Sequence, residues 1–343
     1  MRTINFNVFI VPAIGILLLI LLIFALSDEP VKTMYFFFMG PFRNTFSFGN
    51  LLNAAVPLIL GALGIIITMK NGNLNLGGEG QIYLGAFIST AAALFFSDIV
   101  TGKLSGTIAA VISLTAGALF SGGLCALSGY LKAKWNTNEL ITTFLASLAV
   151  IPIINYFVTG PYLDPETSLM STKKITADIQ LTFIFKPSYL NTGIFIAIIF
   201  IILIWFFLYK TKIGYEFRIA GFNELFARYG GINTKRNTVL SMAISGALYG
   251  LAGGILVLGT HHAVIREFSA GLGWSGLTVA LIAFFSPAAV LPCAFFVAWI
   301  NAGARIAMQN TGLTFEVSYI VQAVIFMLST SIIVKNLFKR KKG

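Results

Sequence analysis

Apolar runs of membrane length recur along almost the whole of this 343-residue chain, and no other feature restricts its fold as severely. A bilayer's hydrocarbon core is about 30 Å thick, so a spanning helix needs about 20 mostly apolar residues. No water is present there to satisfy a bare backbone, which leaves the helix as the element that can cross. Such runs cover residues 9–26, 51–69, 75–96, 107–131, 139–158, 190–209, 237–259, 268–285, 288–308 and 317–338, the eighth being among the shortest. They predict an all-α polytopic membrane protein of ten transmembrane helices. The longest polar connections, 159–189 and 210–236, are about 30 residues each, too short for a separate domain, so residues 1–343 are expected to form one transmembrane unit.

The basic residues orient this bundle, because cytoplasmic loops carry the excess of Lys and Arg. With both termini cytoplasmic, that side receives fifteen: Arg2, Lys70, Lys132, Lys134, Lys210, Lys212, Arg218, Arg228, Lys235, Arg236, Lys335, Lys339, Arg340, Lys341 and Lys342. The outer side receives seven, Lys32, Arg43, Lys103, Lys173, Lys174, Lys186 and Arg266, and Arg305 falls inside a span. An even number of crossings follows. The same bias accounts for the net charge of +11, and the basic tail 335–343 reads as an orientation signal beside anionic lipid rather than a nucleic-acid site. The first run follows Arg2 as a signal sequence would, with Ala25-Leu26-Ser27 as a weak cleavage site; its length and the span after it favour an uncleaved first helix.

Chemistry-bearing constellations are missing from the sequence. It contains no GxxxxGK[ST], HExxH, GxSxG or CxxC, so the chain is expected to be non-enzymatic, with no cofactor and no metal of its own. Cys125 and Cys293 lie in apolar spans and read as small packing residues. His261 and His262 have no third ligand nearby and read as loop residues. Arg305 and Gln309 fall near the outer end of the ninth span, from where an Arg can snorkel to the interface.

Residues 71–85, NGNLNLGGEGQIYLG, set amides and a carboxylate against this apolar background. Each costs free energy beside lipid unless something satisfies it, so Asn71, Asn73, Asn75, Glu79 and Gln81 mark a solute pathway. Glu79 falls in the first turn of a helix, where a carboxylate suits the positive end of the macrodipole. A structural role is favoured for it; contact with a polar solute is the alternative.

The cytoplasmic connection 210–236 contains FRIAGFNELFARYG, which reads as a short amphipathic helix with Phe217, Ile219, Phe222, Leu225, Phe226 and Tyr229 as apolar anchors. Asn223 is a plausible cap and Gly230-Gly231 a plausible stop. Such a helix either rests on lipid headgroups or inserts into a groove on a cytoplasmic partner.

Four stretches resemble one family. GFNELFARYGGI (221–232) is similar to the GxNxxAAxxxGI coupling loop of ABC importer permeases of the branched-chain amino acid, ribose and nucleoside type. NLNLGGEGQIYLGA (73–86), NTNELITTFLAS (136–147) and GLTFEVSYIVQAVIFMLS (312–329) resemble signatures of its simple-sugar and nucleoside branch. The resemblance implies that Gly221, Asn223, Ala227, Gly231 and Ile232 couple to an ATPase, and Arg218, Glu224 and Gly230 of the same segment are expected to take part. It implies a pathway signature at Asn75, Gly78, Glu79, Gly80 and Gln81, with Asn138 and Glu139 opening the fifth span and Gln322 in the tenth. The sequence departs from the pattern at Glu224, Phe226 and Gly78.

The implied partners are an ATPase subunit carrying ATP-Mg, a second, paralogous permease chain and an external or lipid-anchored solute-binding protein that lands on 159–189. The implied location is the cytoplasmic (inner) membrane. An inverted repeat of spans 2–5 and 7–10 is also implied, and GGEGQIYLGAF (77–87) faintly echoes GLGWSGLTVALIAF (271–284). A nucleoside is the first choice of solute, with simple sugars and riboflavin as alternatives. An ion-coupled transporter working alone is a different class, disfavoured because Glu79 is the only acidic residue well inside the expected pathway. A membrane-embedded enzyme lacks a visible nucleophile and base.

Overall fold

The computed structural model describes residues 7–330 except 98, 101, 270, 312, 313, 315, 318, 325 and 329. The basic tail 335–343 and Arg2 lie outside the described residues. The helices are α1 (Asn7–Leu26), α2 (Pro30–Met39), α3 (Thr45–Lys70), α4 (Gly78–Ser97), α5 (Lys103–Trp135), α6 (Glu139–Thr159), α7 (Gly193–Lys210), α8 (Lys212–Phe222), α9 (Glu224–Tyr229), α10 (Thr234–Leu256), α11 (Leu272–Ile282) and α12 (Val290–Thr311). A further apolar helix, α13, covers Tyr319–Leu328. Among the described residues seven helices are long and apolar enough to cross a membrane: α3, α4, α5, α6, α7, α10 with its extension to His261, and Pro287–Thr311, which contains α12. Three shorter apolar helices, Ala13–Leu26, Leu272–Ile282 and Tyr319–Leu328, fall in the other expected spans.

Helices apolar on all sides bury themselves in a bundle or face lipid, and this chain does both. The most apolar window of α3 is 89% buried and that of α10 is 78% buried, whereas those of α6 and α7 are only 22% buried. Thus α3 and α10 form the centre, and α10 packs on α3, α4 and α5. Small residues permit this close approach, the main source of helix association where lipid is as apolar as the side chains.

Two elements differ from the sequence expectation. The eighth span was expected over 268–285, but α11 is helical only from Leu272 to Ile282 and ends where Phe284 and Phe285 take positive φ of 50° and 53°. The ten-residue α2 was not expected at all. Its Phe37 is fully buried, Trp299 of α12 donates from Nε1 to the Phe38 carbonyl at 3.3 Å, and Gly303 of α12 leaves room for the Phe37 ring.

Hydrogen bonds group the loops into two ends. At one end the 159–189 connection docks on the segment after α10: Thr172 N donates to Val264 O, Ile175 N to His262 O and Leu181 N to Leu258 O. Asn191 Nδ2 reaches Asn53 Oδ1 of α3 at 3.0 Å, and Asn53 Nδ2 reaches Thr260 Oγ1 at 2.9 Å. The opposite end holds the last turns of α3, α5 and α7, the first turns of α6 and α10, and the α8–α9 pair.

Candidate translocation signature and coupling surface

The chain leaves α3 at Asn71, turns through Gly72 at φ +75° and runs without regular secondary structure to Gly77 before α4 begins. Non-helical backbone inside a bundle must find its hydrogen bonds elsewhere. Leu76 N donates to Thr143 Oγ1 of α6 at 3.1 Å, and Gly77 N donates to Asn75 Oδ1 at 2.9 Å. The Asn75 and Gln81 amides face each other, Asn75 Nδ2 donating to Gln81 Oε1 at 2.7 Å and Gln81 Nε2 to Asn75 Oδ1 at 3.0 Å. Asn75 Nδ2 also reaches Ser245 Oγ of α10 at 3.0 Å. Asn71 and Asn73 donate to Ser241 Oγ, one turn earlier on α10, at 3.1 and 3.3 Å. Four of the five polar residues marked in the sequence are therefore buried and bonded to the fold; Asn71 Oδ1 alone among these amides has no partner among the described residues.

Glu79 is the fifth. Its Oε1 accepts from Gly271 N and its Oε2 from Gly273 N, both at 3.0 Å. The carboxylate belongs to the first turn of α4, yet it satisfies amides at the start of α11, amides that no helix provides for. Two helix N-termini thus meet at one negative charge, which suits both dipoles. The carboxylate, Asn75, Leu76, Gly78, Tyr249, Gly273, Trp274 and Leu277 line a narrow cleft. Gly78, where the family pattern is often bulkier, faces Tyr249: a Cβ there would lie 2.6 Å from the ring. Gly80 meets α6 closely enough for its N–H to donate to Ser147 Oγ at 2.7 Å.

The remaining signature residues are structural ties. Asn138 caps α6 by accepting from Leu140 N at 2.9 Å, and Glu139 pairs with Lys132 Nζ at 2.8 Å. Gln322 accepts from Ser275 Oγ of α11 at 3.0 Å and donates to Asn301 Oδ1 of α12 at 2.7 Å. Sequence reasoning did not single out Lys132, Thr143, Ser147, Ser241 or Ser245. Hydroxyls one turn apart on α6 and on α10 were the available signal.

The expected single coupling helix is two. At Asn223 the backbone is extended (φ −156°, ψ 108°), which ends α8 and starts α9. Asn223 Oδ1 accepts from Phe226 N at 3.0 Å as the cap of α9, and Gly231 at φ +76° follows its end. The break divides the anchors. Phe217 and Ala227 are buried in the fold, while Phe222 and Tyr229 are 82% and 91% exposed and Leu225 and Phe226 are also exposed. Glu224 and Arg228 pair one turn apart on α9, a surface contact of little energetic weight. Arg218 stacks its guanidinium 5.2 Å from the Tyr209 ring centre, and Gly221 lies against Gly72: a Cβ on Gly72 would be 3.2 Å from Gly221 Cα. Gly230 and Ile232 complete the turn into α10, Ile232 N donating to Ala227 O at 3.0 Å.

Cys125 and Cys293 are buried free thiols. Among the described residues no three His, Cys, Asp or Glu side chains cluster as metal ligands. His262 adopts φ +58°, and burial, then the nearby Lys174, lowers its pKa.

A family model described as "Branched-chain amino acid transport system / permease component" matches residues 47–330. The probable riboflavin import permease protein RfuC of Treponema pallidum is 33% identical, over 92% of this chain and 82% of its own length. The nucleoside ABC transporter permease protein NupB of Lactococcus lactis subsp. cremoris is 30% identical over 96% and 92%, and the guanosine ABC transporter permease protein NupP of Bacillus subtilis 29% over 85% and 83%. No solved structure matches the chain. With most of its length matched by the family model and its helices apolar, this chain belongs to the permease components of the branched-chain amino acid transport type.

Proposed function

We propose that this chain is the membrane subunit of an importer driven by ATP hydrolysis in a separate cytoplasmic ATPase, and that it moves a nucleoside inward. The observation that carries the coupling is α9, a capped helix that buries Ala227 in the fold and leaves Phe222, Leu225, Phe226 and Tyr229 exposed around it. Apolar side chains on a short helix fit a groove on a second protein. The solute is supported by the nucleoside and guanosine permeases among the relatives, NupB and NupP. Riboflavin is the second reading, favoured by the 33% identity to RfuC.

In this reading the three shorter apolar helices bring the crossings to ten, with both termini cytoplasmic and with α8–α9 on that side. The halves, spans 2–5 and 7–10, are inverted, an arrangement supported by the way α4 and α11 start head to head at Glu79. The exposed apolar faces of α5, α6 and α7 suit lipid and a second, paralogous permease chain. An external binding protein delivers solute to the end formed by 159–189, and ATP-Mg stays in the ATPase. The location is the cytoplasmic membrane.

The test is the thermal shift of the binding protein that serves this permease, against guanosine, riboflavin and glucose. A shift with guanosine alone is expected; a shift with riboflavin alone selects the second reading. Accumulation by the isolated chain, driven by an ion gradient, would overturn the ATP-driven reading altogether.

A further inference from the structure

Lys132, near the end of α5, belongs to none of the recognisable motifs, yet one ammonium there ties three chain segments together. Its Nζ donates to Asn73 Oδ1 at 2.7 Å and pairs with Glu139 Oε1 at 2.8 Å, joining α5, the connecting segment 71–77 and the first turn of α6. Side-chain exposure is 25% for Lys132 and 13% for Glu139. Charges so far out of water depend on each other, and removing one strands its partner.

The connecting segment is held differently along its length. Asn73 Nδ2 also donates to Ser241 Oγ of α10, and beyond it Asn75 joins Gln81, two residues from Glu79 and the α11 amides. Before it, the Gly72 backbone touches Gly221 at the end of α8. The α8–α9 pair thus abuts the segment on one side, and Lys132 fastens it on another. A cavity of about 290 Å³ lined by Lys132, Lys134, Glu224, Arg228, Lys235 and Thr238 separates α9 from α5. A shift of α8–α9 therefore bears on the turn from Lys70 to Gly72, next to Asn73. Two ties hold residues 71–77 to α6: the Leu76–Thr143 hydrogen bond near one end and the Lys132 ammonium at Asn73, nearer α8–α9.

We propose that Lys132 is a positioning residue of the transport step: its ammonium clamps Asn73 to Glu139, so that motion delivered to α8–α9 reaches Glu79 and α11. The transport role rests on the importer reading above; the clamp does not. The first measurement compares wild type, Lys132→Ala and Lys132→Arg in the full complex in proteoliposomes, reading guanosine moved per ATP hydrolysed. Lys132→Ala is expected to lower this ratio about threefold to tenfold while hydrolysis continues, and Lys132→Arg to preserve it. A merely structural role would reduce hydrolysis and transport together, and that result, or an unchanged ratio, overturns the positioning role.

The second measurement is hydrogen exchange over residues 71–77 in the purified full-length permease. Lys132→Ala should speed exchange about tenfold and Lys132→Arg should not, as expected for a local opening stabilised by the ion pair. Unchanged exchange overturns the clamp. If Lys132→Ala fails to fold, Lys132→Gln keeps a donor for Asn73 without the charge and takes its place. If the wild-type complex moves no nucleoside, the functional reading falls, and exchange alone decides for or against Lys132.

Discussion

Glu79 offers the sharpest separation of a structural carboxylate from one that touches solute. Its two oxygens each accept one backbone N–H at 3.0 Å, from Gly271 and Gly273, so the carboxylate closes the start of α11 across the bundle. A hydrogen bond to a charged group is worth about 1.5–3 kcal/mol, and the lower figure applies because the side chain is only partly buried. Glu79→Ala removes both bonds and should destabilise the fold by about 3 kcal/mol, while Glu79→Gln keeps one acceptor and should cost about half of that. The assay is thermal unfolding of the purified permease in detergent, run beside nucleoside uptake by the reconstituted complex. The expected order of stability is wild type, Gln, Ala, with uptake following the same order. Equal melting of all three would refute the cap, and a Gln variant of wild-type stability with a raised KM would move Glu79 from structure to solute contact.

Three further outcomes follow from the geometry. Gly78→Ala pushes a methyl into the Tyr249 ring and should destabilise by about 1–3 kcal/mol, and adding Tyr249→Leu should recover much of this in the same melting assay. Leu225→Ser combined with Tyr229→Ser alters only exposed side chains, so the melting temperature should hold while co-purification of the ATPase is lost; retained co-purification would place the docking surface elsewhere. His262 has a pKa lowered by burial and then by Lys174, so the unfolded chain takes up the proton first and the stability due to the neutral ring, full above the unfolded value near 6.5, is lost as pH falls through the folded value. His262→Asn, which tolerates the φ of +58°, should flatten the fall in melting temperature between about pH 7.5 and 5.5.

The sequence disclosed most where the physics was local. Length and apolarity alone located the seven long helices, because a bilayer imposes both on any span. The α2 helix escaped notice because PVKTMYFFFM is too short to cross, and its aromatic face acquires meaning only against Trp299 and Gly303 of α12. The break at Asn223 was legible as a cap; that the residues before it form a separate helix depends on Phe217 and Gly221 finding places in the bundle. Asn75, Glu79 and Gln81 stood out as polar groups among apolar ones. Their partners did not, since Thr143 and Ser147 lie 67 residues from the groups they bind and Ser245 lies 170 from Asn75. A hydroxyl that fastens a distant backbone looks the same in a sequence as one that bonds its own helix.

The bridge from Glu79 to α11 has a consequence for biosynthesis. Gly271 is 192 residues further along the chain, so at about 5–20 residues per second a ribosome needs roughly 10–40 seconds to make it after finishing the carboxylate. Throughout that interval the nascent protein holds a carboxylate whose eventual donors have not been synthesised. Until then water or lipid headgroups must supply those two hydrogen bonds, and it is the late arrival of α11 that lets the first turn of α4 exchange them for backbone amides.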